Sequence, residues 1–238
     1  MKKIIIIGAT SGIGREIAKI YADAGNLVGV TGRRQPLLYS LQVEYPNHIV
    51  TQCFDVTGDD NISHLESLIS KLDGLDMLIY NAGFGDPNEK IIWEIDKITV
   101  NTNVNGFIEI IDYAYNYFEE QGHGQLVTTS SIASIRGNSH APAYSASKAF
   151  QSIFFEGLHI KTKKSGSNLY VTDVQPGFVD TKMAKGNKRF WTATPQKAAR
   201  QIVDAIEKKK WRIYITHRWW IIAKLMKWMP DFVYHRIA

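Results

Sequence analysis

Hydrophobic residues follow two alternating patterns along the chain. Short, nearly continuous apolar runs rich in β-branched residues occur at 4–7, 27–31, 49–54, 77–80, 125–129, 170–174 and 212–215, and between them lie longer stretches with helical spacing. An apolar run with no polar alternation reads as a strand covered on both faces, and strands separated by helices must join in parallel through right-handed crossovers. The pattern therefore predicts an α/β fold: a doubly wound, Rossmann-like parallel sheet of about seven strands with helices on both faces. No repeat, Gly/Ser linker or break in composition interrupts it, so residues 1–238 read as one domain ending in a distinct tail, 205–238.

In such a sheet, ligands bind beyond the carboxyl ends of the strands. The residues that follow the predicted strands are Gly8, Arg33, Asp55, Asn81, Ser131 and Pro176, so six strands point their unusual residues at one crevice. The first turn reads Gly8-Ala9-Thr10-Ser11-Gly12-Ile13-Gly14, directly before an amphipathic helix. Glycines there permit a tight turn and a close backbone approach, and the free N–H groups of a helix N-terminus favour a pyrophosphate. The spacing is neither that of a P-loop nor the commoner G-x-G-x-x-G, and a plain strand-to-helix connection would use glycines too; its place after a strand favours a dinucleotide. After the second strand come Arg33 and Arg34, and no acid lies between Leu27 and Gln42. An NAD site normally places an acid there for the ribose 2′-hydroxyl, whereas arginine suits a 2′-phosphate, so the expected cofactor is NADP (NADPH).

Tyr144 and Lys148 are four residues apart on a predicted helix at 142–164 and so share one face. A phenol titrates near ~10, and an adjacent ammonium would lower that value. The pair alone is also an ordinary helix-surface pair, and its neighbours decide its meaning.

Composition narrows the function classes. The single Cys53 excludes a disulfide framework and a Cys-rich zinc site, and it suits a reducing, cytoplasmic setting. The opening Met-Lys-Lys precedes only four apolar residues, which fits a strand better than a signal peptide, and no uncharged stretch of about 18 residues suggests a membrane-spanning helix. The net charge is +5, but residues 205–238 hold eight basic and two acidic side chains. The positive excess is therefore confined to the tail, and nucleic acid is not an expected partner.

Several segments in fixed order resemble the short-chain dehydrogenase/reductase family: Gly8 to Gly14, Asp55-Val56, Asn81-Ala82-Gly83, Asn103-Val104-Asn105-Gly106, Ser130-Ser131, Tyr144 to Lys148, and Pro176-Gly177 with Thr181. The resemblance implies a catalytic set of Asn103, Ser131, Tyr144 and Lys148. It implies cofactor contacts from Gly8, Thr10, Ser11, Gly12, Ile13, Gly14, Arg33, Arg34, Asp55, Val56, Asn81, Ala82, Gly83, Tyr144, Lys148, Pro176, Gly177, Val179 and Thr181, and no metal. Two positions depart from the family pattern, Ile7 for a threonine and Tyr80 for an asparagine; neither supplies a reactive group.

The implied reaction is hydride transfer between NADP(H) and a carbonyl or secondary alcohol of a small to medium, fairly apolar substrate. Ala133, Ser134, His140, Phe178, Met183, Phe190 and Trp191 are in range of its pocket, with His140 expected to be a loop residue outside the mechanism. A cofactor-binding regulator without turnover is the alternative from another class, and a peripheral membrane reductase acting on a lipid-like substrate is a third. The stripe Phe150, Ile153, Phe154, Phe155 and Leu158 exceeds what one buried face needs and, with the family's habit of pairing this helix, suggests a homodimer or homotetramer. In the tail, Trp219, Ile222, Leu225, Met226 and Met229 are expected on one apolar face, with Lys224 and Lys227 opposite between Trp220 and Trp228, ending at Pro230. A cleft cover, a subunit interface and a weak membrane-surface contact all fit that pattern.

Overall fold

The computed structural model describes residues 1–87, 90–181 and 190–236. Strands and helices alternate: β1 (Lys3–Ile7), α1 (Gly12–Asp23), β2 (Leu27–Gly32), α2 (Gln35–Glu44), β3 (Ile49–Cys53), α3 (Asn61–Leu72), β4 (Met77–Tyr80), α4 (Trp93–Val100), α5 (Gly106–Gln121), β5 (His123–Thr129), α6 (Pro142–Ser165), β6 (Asn168–Pro176), α7 (Pro195–Glu207), β7 (Arg212–Ile215), α8 (Trp219–Trp228) and the single turn α9 (Asp231–Tyr234). A π-helical turn, Asn101–Asn105, joins α4 to α5.

The strands form one parallel sheet in the order β3-β2-β1-β4-β5-β6-β7. The predicted seven-stranded, doubly wound architecture is therefore the observed one. Strand side chains alternate between the faces, which gives two cores. Ile4, Ile6, Val28, Val30 and Ile79 pack against α1, α2 and α7, while Ile5, Ile7, Leu78, Tyr80 and Leu126 pack against α3, α5 and α6. Ile7, one of the two departures, is fully buried in the second core.

Register aligns the strand ends. Ile7 pairs with both Thr31 and Tyr80, and Tyr80 pairs with Thr128, so Gly8, Arg33, Asn81 and the Ser130-Ser131 pair emerge along one edge. Strand order reverses between β1 and β4, the switch point where an α/β sheet opens a crevice.

The α6 stripe divides differently from expectation. Phe155 is fully buried, Phe150, Phe154 and Leu158 pack around Phe107 and its neighbours, and Ile153 is exposed. Most of that hydrophobicity is committed within the chain, because α5 presents a large ring at Phe107 that three α6 phenylalanines surround. The tail also differs. Trp219 and Ala223 are buried, but Leu225 is 55% exposed and points away from Trp219. Leu225 lies six residues after Trp219, about 120° away from it around the helix axis, so the sheet can cover only one of them.

Candidate active site

The Gly-rich turn folds tightly against the start of the β4–α4 connection. Gly8 has φ +89°, and a Cβ there would lie 2.6 Å from the Ala82 nitrogen. Asn81 ties the two turns together: its backbone N–H donates to the Ile7 carbonyl (2.9 Å) and its side-chain amide to the Gly8 carbonyl (2.9 Å). Gly14 faces the same carbonyl so closely that a Cβ would sit 2.3 Å from it. Thr181 approaches from the far side, its methyl 3.2 Å from where a Gly12 Cβ would be. The cradle is thus bounded by backbone, and larger side chains are excluded from its floor.

At the end of β2 the two arginines take different partners. Arg34 donates to the hydroxyls of Thr10 and of Ser11, the latter at 2.7 Å. Arg33 is 61% exposed and reaches the Asp55 carboxylate at 3.4 Å, while Asp55 also accepts the Thr57 N–H. Arginine, threonine and serine donors beside a helix N-terminus, with no acid on the β2 end itself, form a donor set suited to a phosphate. Asp55 and the buried Val56 bound the neighbouring space. The residues present therefore fit a phosphorylated dinucleotide.

Deeper in the crevice, α6 supplies Tyr144 and Lys148. Tyr144 stands beside Ser131, whose hydroxyl accepts the Ala133 N–H at 3.1 Å. Ser130 is turned away and donates to the fully buried Asp173 at 2.5 Å, so the structure separates the two serines. Ser152, Gln175 and Arg212 also donate to Asp173, at 2.7, 2.8 and 3.1 Å, which compensates its buried charge. Lys148 Nζ donates to the Thr129 carbonyl and to Gln151 Oε1, both at 2.9 Å, and lies 5.9 Å from the centre of the Tyr144 ring. Asn103 Oδ1 accepts the Phe84 N–H (2.8 Å), and its amide donates to the Phe84 carbonyl (2.7 Å) and Ser147 Oγ (2.9 Å). Gly83 brings the last two groups together: a Cβ there would meet Lys148 Nζ at 3.3 Å and Asn103 Oδ1 at 3.5 Å.

The expected lowering of the phenol does not occur. Burial raises the Tyr144 phenol and outweighs the neighbouring Ser131 hydroxyl, which acts the other way. Burial likewise holds Lys148 down to about 7, against the opposing pull of the Asp173 carboxylate. The reason is geometric: the ammonium is directed at Thr129 and Gln151 instead of the phenol oxygen.

Sequence reasoning missed three supporting residues. Tyr80 is fully buried and donates to the Thr102 carbonyl at 2.8 Å, inside the π-helical turn that carries Asn103. Gln151 donates to the Asn103 carbonyl at 2.9 Å. A π-turn shifts the ladder by one residue and frees carbonyls, and these two side chains occupy them. Trp219 is the third: it packs on Gly177 so closely that a Cβ there would lie 2.0 Å from the indole, and it stacks on Phe190 at 5.0 Å and meets Phe178 edge-on at 5.4 Å. Gln151, three residues after Lys148 on the same helix face, was the one with a readable signal. Of the expected pocket residues, Phe178, Phe190 and Trp191 join this aromatic cluster, His140 lies exposed in a loop, and Met183 lies outside the described residues; Val179, expected as a cofactor contact, has its side chain turned into the core.

The comparisons follow the same segments. The family model described as short chain dehydrogenase matches residues 2–190. An uncharacterized oxidoreductase of Myxococcus xanthus is 35% identical over 189 residues, covering 77% of this chain and 74% of its own length. A protein of Shigella flexneri described as NADP-dependent 3-hydroxy acid dehydrogenase YdfG is 29% identical over 180 residues, 74% of this chain and 72% of the relative. The fold is similar to that of a 3-ketoacyl-(acyl-carrier-protein) reductase from Brucella melitensis, solved in complex with NADH, with TM-score 0.82 at 20% identity over 91% of this chain and 97% of that one. Because the match to the family model runs from β1 past the Tyr144 helix and the end of β6, it takes in the whole cradle, and the chain belongs to the short-chain dehydrogenase family of oxidoreductases.

Proposed function

We propose that the protein is an NADPH-dependent reductase of carbonyl compounds, or the reverse alcohol dehydrogenase, acting on a small to medium, fairly apolar substrate. The observation that carries this reading is the convergence of Ser131, Tyr144, Lys148 and Asn103 beside a cradle whose outer end carries Arg33 and Arg34. Bound NADPH would supply the hydride. The chain's own residues would supply the rest.

In reduction, Tyr144 passes its phenolic proton to the carbonyl oxygen as negative charge develops there, and Ser131 donates a second hydrogen bond to the same oxygen. A phenol held above its ordinary value by burial stays protonated at neutral pH, which suits the acid role. Lys148, whose Nζ lies beside Gly83, would bond the nicotinamide ribose, and Asn103, fixed by Phe84 and Ser147, would hold a water in a proton relay. Gly8, Thr10, Ser11, Gly12, Ile13 and Gly14 would line the pyrophosphate, Arg34 and Arg33 the 2′-phosphate, Asp55 and Val56 the adenine, Asn81, Ala82 and Gly83 the ribose, and Pro176, Gly177 and Thr181 the nicotinamide, which Val179 could meet only through its backbone. The aromatic cluster of Phe178, Phe190, Trp191 and Trp219 at the end of β6 supports an apolar substrate.

The test is a panel of aldehydes and ketones followed by NADPH absorbance, with Tyr144→Phe as the control. The variant keeps the ring and loses only the proton donor, so turnover should fall at least about hundredfold while NADPH affinity stays within about twofold. A variant as active as the unmodified chain would overturn the mechanism.

A further inference from the structure

After β7 the chain enters α8, a helix of ten residues that is apolar on two opposite sides. One side faces the body of the protein, with Trp219 and Ala223 buried. The other faces outward: Ile221 is 50%, Leu225 55% and Trp228 80% exposed, spaced i, i+4, i+7 as one stripe, and Phe232 of α9 follows at 69%. Single exposed apolar residues are ordinary on a protein surface, whereas a contiguous stripe of large ones marks a surface that is covered in use.

Charge says what covers it. Helix α8 has no acidic residue, and Arg218, Lys224 and Lys227 sit on or beside the stripe. Asp231, at the start of α9, is taken by Arg136 at 2.5 Å. Lys224 Nζ lies 4.4 Å over the Trp220 ring, which puts an ammonium and an indole at the border of the apolar stripe. A second copy docking by two-fold symmetry would bring together two patches of the same positive sign, because such an interface pairs a patch with itself. An anionic lipid surface complements both halves of the pattern, taking the apolar stripe into the headgroup boundary and the ammonium groups onto lipid phosphates.

The element is held in place in advance. Trp219 is clamped on Gly177 and Phe178, the Tyr234 hydroxyl donates to the Gly137 carbonyl at 2.7 Å, and the Arg136 guanidinium stacks 4.3 Å over the Tyr234 ring. We infer that the outer face of α8, continued by Phe232, is a docking surface for an anionic bilayer. The inner face of the same helix contributes Trp219 to the aromatic cluster, and the two faces of a helix are only about 10 Å apart. Resting on the reductase reading, the substrate class is therefore a membrane-dissolved carbonyl or alcohol compound that enters the cleft from the lipid side.

The test is cosedimentation of the full chain with vesicles of phosphatidylserine and phosphatidylcholine, and of phosphatidylcholine alone, with NADPH binding followed in parallel. The chain should pellet with the anionic vesicles at low salt and be released at about 1 M salt, where charges are screened within about 3 Å. Lys224→Gln with Lys227→Gln should weaken binding roughly thirtyfold, from the usual contribution of a basic residue near such a surface. Leu225→Ser with Trp228→Ser should abolish it; both side chains are exposed, so NADPH binding should not change. The proposal is overturned if the unmodified chain ignores anionic vesicles at low salt, if either double variant binds as the unmodified chain does, or if sedimentation velocity shows the Leu225/Trp228 variant dissociating an oligomer. Vesicle binding without NADPH binding would sink the reductase reading and leave the docking surface standing.

Discussion

Lys148 is the residue in which burial, charge and chemistry meet. Its folded value of about 7 lies below its ordinary 10.5, so the folded chain binds less proton than the unfolded chain between those limits. The sign follows: stability gained from releasing this proton rises with pH from about 7 to about 10.5 and is absent below 7. Other groups titrate as well, so the prediction is made for a difference. Comparing urea midpoints of the unmodified chain and Lys148→Met, the unmodified chain should gain on the variant as pH rises through that window. A constant difference would mean that Lys148 is not desolvated in solution. The arginines give a second prediction at this scale. Arg33 is 61% exposed and held by a 3.4 Å contact to Asp55, and Arg34 by two hydroxyls, so both can turn to a 2′-phosphate. Replacing either by alanine should weaken NADPH roughly tenfold or more and leave NADH nearly unchanged, as titration of fluorescence would read. Equal losses for both cofactors would show that neither arginine meets the 2′-phosphate.

Among the elements, the π-helical turn Asn101–Asn105 depends most on outside support. Its register places Asn103 between the β4–α4 connection and α6, and the carbonyls it frees are bonded by Tyr80 and Gln151. Tyr80→Phe removes only the phenolic oxygen and leaves the Thr102 carbonyl buried without that donor. Stability should drop by about 1–3 kcal/mol by chemical denaturation. Because Asn103 rides on the same turn, kcat should fall while cofactor affinity holds. If kcat is unaffected by a destabilisation of that size, Tyr80 serves packing alone. Tyr80 also meets Phe107 edge-on at 5.1 Å, and the phenylalanine variant preserves that contact.

For the whole molecule, cofactor preference is a stability measurement. A ligand present at about a hundred times its Kd adds about 2.7 kcal/mol, and a chain of this size shifts its Tm by roughly 2–4 °C per kcal/mol, so saturating NADPH should raise Tm by about 5–10 °C. NADH at the same concentration should raise it less. Equal shifts would refute the 2′-phosphate assignment. The cleft is built from both halves of the sheet, with Gly12 against Thr181 and Gly8 against Ala82, so a dinucleotide bound there would join strands on either side of the switch point.

Periodicity by itself determined the strands to within two residues at every end, the parallel order of strands and helices, and the set of residues beyond the strand ends. These were legible because burial on both faces forces continuous apolar runs, and because a Gly-rich turn and a Tyr/Lys pair are local features. Tertiary structure decided what depends on direction in space. Ser130 and Ser131 are adjacent in sequence, and only the pleat sends one to Asp173 and the other to Tyr144. The tyrosine and lysine share a helix face as expected, yet the Thr129 carbonyl and Gln151 draw the ammonium from the phenol oxygen, which no spacing could reveal. Helix α8 carries large apolar residues on two opposite sides, so spacing put Trp219 and Leu225 on one face although only Trp219 is covered. Gly177 settled that, because its missing side chain leaves room for Trp219 and turns Leu225 and Trp228 outward.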